Sequence, residues 1–289
     1  MTATAELTVV LATHNRADLL DEALAALSTQ EWDGDWNIVA VDNASTDETP
    51  AVMDRWAERM PVPMRIVRAT EGRGPSYARN TGVDHCDAPH VAFVDDDDLV
   101  GHGWVAAIGE ALRANPLVAS RFDYDHLNPP AVAATNVVNV DRLPEVGATP
   151  VASSAGLGCH RSLWHRLGGN DEALRYGEDI DFSLRASATG TDPVLQPDAV
   201  YHVRLRDGVR AAFDRGRHHG RASVDLYVRH GRERGDRPDR PGLLARVWAG
   251  YVLRLPTLVR PSARLVYAEQ LGRRLGRLQG SAQQRVWYP

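Results

Sequence analysis

Short apolar runs alternate with stretches of helical periodicity through the first hundred residues. Residues 7–12 (LTVVLA) form a run without polar alternation, which predicts a strand buried on both faces. Residues 18–29 then place Leu19, Leu20, Ala23, Leu24 and Leu27 at helical spacing. The pairing repeats with a strand at 37–41 (NIVAV) and a helix at 48–59, for which Ser45 and Thr46 are the expected cap residues. A strand at 64–67, a helix at 76–83 and a strand at 91–94 follow. Alternation at this interval predicts an α/β fold: a mostly parallel sheet with helices on both faces.

Beyond residue 100 the pattern loosens. Residues 123–150 contain four prolines and little periodicity, and read as a loop or broken-sheet region. Next come a short apolar stretch at 157–159, a helix over 161–167, a helix opening near Glu178 and a late strand at 194–203. From about Leu205 the composition turns to arginine-rich helical segments, broken by a Pro/Arg/Asp stretch at 234–241. Helices are expected at 243–255 and 263–278, the second with a stripe of Leu265, Ala268, Leu271, Leu275 and Leu278.

In parallel sheets ligands bind beyond the carboxyl ends of the strands. The polar residues there are Thr13, His14, Asn15 and Arg16, then Asp42, Asn43, Ala44 and Ser45, then the run Asp95, Asp96, Asp97, Asp98. All three groups are expected to open on one edge. Four adjacent carboxylates repel one another, and oxygen ligation without sulfur favours a hard ion such as Mg²⁺ or Mn²⁺. A solvated acidic turn or helix cap is the plainer reading of the tetrad alone.

Composition adds limits. The 289 residues allow one or two domains, and 43% hydrophobic with 25% charged residues is ordinary for a globular chain. No basic start, apolar run and small-residue cleavage site mark a leader, and the apolar run at 247–253 falls far short of the ~20 residues that span a bilayer. The expected location is therefore cytoplasmic. Cys86 and Cys159 lack metal-ligand spacing and read as reduced thiols.

All 33 cationic side chains are arginine, which leaves no lysine for Schiff-base chemistry. Residues 1–205 hold 31 acids and 15 arginines, whereas residues 206–289 hold 7 acids and 18 arginines. An acidic body thus carries a basic tail. The acidic body, with no recognition motif, argues against nucleic-acid binding. Basic amphipathic helices suit an anionic membrane surface, so the tail is expected either at the inner face of the membrane or packed on the body or on a second subunit as a homodimer.

The motifs themselves carry a resemblance. TVVLATHNR (8–16), VDNASTDET (41–49), GRGPSYARNTG (72–82) and FVDDDDL (93–99) resemble, in order, the successive signatures of family 2 glycosyltransferases of the GT-A fold. GGNDEALRYGEDIDFSLR (168–185) resembles that family's acceptor-side segment. The resemblance covers about residues 6–205. It implies a Rossmann-like, mixed, mostly parallel sheet, with a nucleotide-binding half over 1–100 and an acceptor-side half over 101–205. Residues 206–289 are then a basic, mostly helical C-terminal extension.

Site roles follow from the resemblance position by position. Thr13, Asn15 and Arg16 fall in the loop that cradles the nucleotide base. Asp42, with Ser45 in its loop, matches the carboxylate that accepts hydrogen bonds from a ring edge of a UDP-, dTDP- or GDP-linked donor. Arg79 and Asn80 match the pair near the donor's base and phosphates, where an arginine fork binds phosphate in bidentate fashion. Asp95-x-Asp97 aligns with the Asp-x-Asp signature: Asp97 is the expected metal ligand, Asp95 lies nearer the ribose or a water, and Asp96 stays open because the run of four permits a shift of one. His202 matches a histidine that serves some relatives as a further metal ligand, and equally reads as a core histidine.

Glu178 and Asp179 occupy the place of the family's catalytic pair. Asp179 is the expected general base, taking the proton of an acceptor hydroxyl while attack inverts the anomeric centre. A first-turn carboxylate is also what a helix dipole favours, and Asp181 is a weaker candidate. The Gln-x-x-Arg-Trp stretch of processive members does not occur, so a single addition to a small molecule, glycan or lipid-linked acceptor is expected. Two other classes compete: a sugar-nucleotide-binding protein without catalysis, and a nucleotidyltransferase on a related sheet.

Overall fold

The apolar run that opens the chain forms a strand, Leu7–Thr13 (β1), with parallel neighbours on both sides. A computed structural model describes residues 5–135, 140–231, 246, 248–251, 253 and 258–288. Two cores explain why β1 is apolar throughout. Leu7, Val9 and Leu11 join one core on one face, and Val10 joins a second on the other. Each fully buried leucine or isoleucine contributes about 1.5–3 kcal/mol.

The elements after β1 run in order α1 (Ala17–Ser28), β2 (Trp36–Asp42), α2 (Thr49–Arg59), β3 (Met64–Arg68), α3 (Pro75–Asp84), β4 (His90–Asp95) and β5 (Leu99–Val100). Then come α4 (Trp104–Ala114), β6 (Leu117–Asp123), α5 (Pro130–Ala133), β7 (Glu145–Val146), β8 (Thr149–Pro150) and β9 (Leu157–His160). α6 (Arg161–Leu167), α7 (Glu178–Ala188), β10 (Val194–His202), α8 (Val209–Leu226), a π-helical turn (Tyr227–Gly231) and α9 (Pro261–Gln284) complete the order. The main sheet reads β3-β2-β1-β4-β9-β6-β10-β5, and β7 and β8 form a separate hairpin. β9 lies antiparallel between β4 and β6, and β5 antiparallel to β10; the other pairings are parallel.

Three expectations change. Ser45 and Thr46 do not cap α2. The residue at the cap position is Glu48, without a side-chain cap bond; Asp47 Oδ1 accepts the N–H of Thr49, the first helical residue, and Ser45 Oγ accepts the N–H of Asn15 in the first loop. The sequence reading assigns nothing to residues 101–122, yet α4 and β6 lie there. Trp104, Ile108 and Leu112 are buried at helical spacing, so the signal is present. The third change concerns the C-terminal helices.

By their internal contacts the residues form two units: Met1–His126, Val138–Leu174 and Glu178–Arg204 make one, and Leu127–Val137, Arg175–Gly177 and Leu205–Pro289 the other. The first holds the main sheet. In the second, α8 and α9 lie so close that a Cβ added at Gly216 would stand 2.0 Å from the Glu269 carbonyl oxygen, and one at Gly272 2.1 Å from that of Phe213. The packed face is therefore a ridge of small residues, Ala212, Gly216 and Gly220 against Ala268, Gly272 and Gly276, while Leu275 and Leu278 of the expected stripe are exposed. Arg215 pairs with Glu269 at 2.7 Å within this unit. The expected break at 234–241 lies outside the described residues, as does most of the expected helix at 243–255. Among the described residues no helix is long and apolar enough to cross a membrane.

Candidate active site

Six strands of the main sheet run the same way, so their carboxyl ends share one edge. Thr13, Asp42, Arg68, Asp95, Asp123 and His202 are the last residues of those strands. The loop after β1 joins the other two polar loops. The His14 N–H donates to Asp96 at 3.3 Å, Arg16 pairs with Asp97 at 3.2 Å and stands 3.6 Å from Asp96, and the Asn15 N–H donates to Ser45 Oγ at 2.9 Å. Asn15 Oδ1 in turn accepts the Thr46 N–H at 2.7 Å. Asn15 adopts a positive φ of 51°, which asparagine tolerates better than most residues. Thr13 is buried beneath them, its carbonyl accepting the Asn43 N–H. The three loops meet.

Asp42 is buried, but both its oxygens have protein partners: Oδ1 accepts the Ser45 N–H and Oδ2 pairs with Arg68, each at 3.0 Å. Each carboxylate oxygen keeps a second lone pair, so acceptor capacity remains.

The four aspartates are not equivalent. Asp95 Oδ1 lies 2.6 Å from Arg79, and its backbone N–H donates to the buried Tyr201 hydroxyl. Burial pushes the Asp96 carboxyl up to about 6, with repulsion from Asp97 and Asp95 adding to it. Asp98 is turned inward: its Oδ1 accepts the Arg204 N–H at 2.7 Å, and burial holds its carboxyl well above the usual range. Arg204 also donates through Nε to the Asp97 carbonyl and pairs with Glu22 at 2.6 Å. Asp98 is thus a backbone anchor, which leaves Asp95, Asp96 and Asp97 as the chemically available part of the run.

The argument that four carboxylates demand a bound cation is met in part by the chain itself, since Arg79 and Arg16 lie against Asp95 and Asp97. Asp96 accepts the His14 N–H and stands 3.6 Å from Arg16, yet burial, with Asp95 and Asp97 beside it, still disfavours its ionised form. Hard oxygen donors with unrelieved negative charge fit a divalent ion. On the same edge Asp123, His126 and His202 bring one potential ligand atom each within 4.8 Å of one another. Sequence reasoning singled out His202 but not its two neighbours, nor Arg68 and Arg204. Arg68 follows a strand expected from the sequence, and the strand-end rule would have found it; Asp123 ends β6, a strand left unassigned there.

Arg79 is buried on α3 and reaches Asp95 with one terminal nitrogen and Glu178 with the other, at 2.6 and 3.2 Å. Burial opposes its charge, but Asp95 and then Glu178 outweigh this and hold the guanidinium above its ordinary range. Its Nε has no hydrogen-bond partner among the described residues. Arg79 is therefore no surface salt bridge; it links the acidic turn to the start of α7. Burial pushes the Glu178 carboxyl up to about 7, with Asp179 adding and Arg79 opposing. Arg79, shared with Asp95, does not offset the burial of Glu178.

The remaining candidates separate. Asp179 is half-buried in the first turn of α7, its Oδ1 accepting the Ile180 N–H at 2.8 Å. Asp181 is buried against Arg185, which also donates to the carbonyls of Leu167 and Gly169, so it is a structural tie. Asn80 does not face the acidic turn with Arg79. Its amide donates to the Asn170 carbonyl and to Glu172, and its Oδ1 accepts the Asn170 N–H.

Residues 8–139 match the family model described as glycosyl transferase family 2. The succinoglycan biosynthesis protein ExoO of Rhizobium meliloti is 27% identical over 219 residues, covering 70% of this chain and 62% of that protein. A pre-mycofactocin glycosyltransferase of Mycobacterium tuberculosis is 28% identical over 237 residues, covering 74% of this chain and 47% of that one. The chain thus spans about half to three-fifths of the length of these relatives. Among solved structures, the mannosyltransferase PcManGT from Pyrobaculum calidifontis, in complex with GDP-Man and Mn²⁺, superposes with a TM-score of 0.62 at 23% identity, covering 98% of this chain and 76% of that chain.

Proposed function

We propose that this chain, whose residues 8–139 match the model of glycosyl transferase family 2 and which has the GT-A fold, moves a sugar from a nucleotide diphosphate-sugar to an acceptor hydroxyl with inversion. The observation that carries the reading is the Asp95–Arg79–Glu178 link, which brings the acidic turn and the start of α7 into one site.

In this reading Asp97, Asp95 and His202 hold a divalent cation, Mn²⁺ or Mg²⁺, with Asp96 beside them. The cation, when bound, supplies Lewis-acid stabilisation of the charge on the departing diphosphate. Support for a metal comes from the raised Asp96 carboxyl and from the Mn²⁺ and GDP-Man bound by the structural neighbour. Thr13, Asn15, Arg16 and Ser45 shape the nucleotide loop, and Asp42 accepts from the ring edge of the base. Arg79 adds fixed positive charge that needs no reorganisation during the reaction. Asp179, in the first turn of α7, takes the acceptor proton. Glu178 holds Arg79 in place.

The test is product analysis. The protein is incubated with UDP-, dTDP- and GDP-sugars, Mn²⁺ and hydroxyl acceptors, and nucleotides are resolved by ion-exchange chromatography. Release of nucleoside diphosphate from one donor is expected. With inorganic pyrophosphate added in place of the acceptor, formation of nucleoside triphosphate and sugar 1-phosphate would instead identify a nucleotidyltransferase, and binding without any release a sugar-nucleotide-binding protein.

A further inference from the structure

His202 is held by two residues that the proposed chemistry leaves unused. Asp123 lies beside it in the parallel register of β6 and β10, with Asp123 Oδ2 2.6 Å from His202 Nδ1. The other oxygen of Asp123 accepts the Asp125 N–H at 3.0 Å. His126 covers the His202 ring, with centroids 4.3 Å apart and planes inclined by 32°.

Chemistry restricts what the short contact can be. An ionised carboxylate has no hydrogen to donate, so the proton between these atoms belongs to Nδ1. A neutral imidazole protonated at Nδ1 carries its lone pair on Nε2, the form in which histidine ligates a metal through Nε2. Asp123 therefore selects the tautomer. Gly101 lies beside Nε2: a Cβ there would stand 3.4 Å from Nε2, an ordinary contact, and 2.9 Å from the Val200 carbonyl oxygen, which is too close. On the other strand His202 is paired with Leu99, the residue after the acidic run. Were Asp123 and His202 Nδ1 both direct ligands of one ion, their 2.6 Å hydrogen bond would first have to open.

We propose that Asp123 is a positioning residue that fixes His202 with its proton on Nδ1 and presents Nε2 to the divalent cation, His126 forming the wall that limits ring rotation. The proposal rests on the metal-assisted reading above. It adds the residues that select which nitrogen binds.

The experiment uses the full chain labelled with ¹⁵N-histidine and long-range ¹H–¹⁵N correlation spectra, which read the protonated nitrogen directly. His202 is expected to carry its proton on Nδ1, and Mn²⁺ added with UDP, dTDP or GDP is expected to broaden its Nε2 signal. In Asp123→Ala the tautomer preference should be lost and Mn²⁺ affinity should fall about 10–100-fold. A proton on Nε2 in the wild-type chain would overturn the proposal, and this readout needs no variant to fold. Mn²⁺ binding that leaves the His202 signals and the Asp123→Ala affinity unchanged would overturn it alone. Failure of Mn²⁺ to bind the wild-type chain with any of the three nucleotides would overturn the metal-assisted reading, and this inference with it.

Discussion

The Nη1 of Arg79 stands 3.2 Å from Oε1 of Glu178, closing a gap of 99 positions in the sequence. The other terminal nitrogen holds Asp95, so one buried cation serves the end of β4 and the start of α7. Neither helix nor strand alone fixes that geometry. The sheet edge does, by bringing the strand end beneath the helix that bears Glu178.

Removing this cation should be costly. Arg79→Ala strands two carboxylates, and breaking a buried pair costs about 3–5 kcal/mol. Because Glu178 can take up a proton, a loss on the order of 3 kcal/mol is expected in urea unfolding. Arg79→Lys keeps the charge without the planar fork and should recover only part of it. A loss below about 1 kcal/mol for the alanine variant would mean that the link is energetically idle.

The two raised carboxyls give a pH signature. Glu178 is pushed up to about 7 and Asp96 to about 6, in both cases by burial first. Folded chains then keep protons that unfolded chains have already lost, so stability is highest below the ordinary carboxylate range and falls as pH rises through these values. The contribution of these two groups to the melting temperature without metal is expected to decline from about pH 4 to about pH 7 and then level off, against an opposite contribution from His90 and His218, whose charged forms burial disfavours. Glu178→Gln should flatten the upper part of that decline. A wild-type curve that runs parallel to that of Glu178→Gln over the same window would contradict the assignment.

Asp97 and Asp98 are adjacent but should behave oppositely. Asp98→Asn keeps an acceptor for the Arg204 N–H and removes a disfavoured buried charge, so stability should hold or improve and metal-dependent nucleotide binding should persist. Asp97→Asn weakens a part-exposed pair with Arg16, of a kind worth about 0–1 kcal/mol, and should lose metal-dependent binding. Calorimetric titration with Mn²⁺ and nucleoside diphosphate separates the two.

For the proposed base, Asp179→Asn should lower kcat by about 10²–10⁴-fold while leaving nucleotide binding and stability near wild type. An asparagine oxygen can still accept the Ile180 N–H. Loss of stability and binding together with turnover would show a structural cap instead.

Much of the site could be read from the chain. The centres of β1 (9–12), β2 (38–41) and β4 (91–94) are continuous apolar runs because both faces are covered, and the polar residues at their ends share an edge because the strands run parallel. The inward turn of Asp98 was not legible. It depends on Arg204, 106 positions away, brought close by a pairing with a strand of only two residues, too short to leave a pattern. Asp123 and His126 were hidden in a stretch whose prolines suggested only loop. The helix pair was misjudged for another reason: leucines mark a packed face when side chains fill the space between helices, whereas α8 and α9 meet backbone to backbone at glycines.

The central claim, that carboxylates at one sheet edge hold a cation and with it a nucleotide diphosphate, has a direct test in isothermal titration of UDP, dTDP and GDP with and without Mn²⁺. One of the three should bind only when the metal is present, and Asp97→Asn should abolish that binding. Equally tight binding without metal, or binding that survives Asp97→Asn unchanged, would contradict the account.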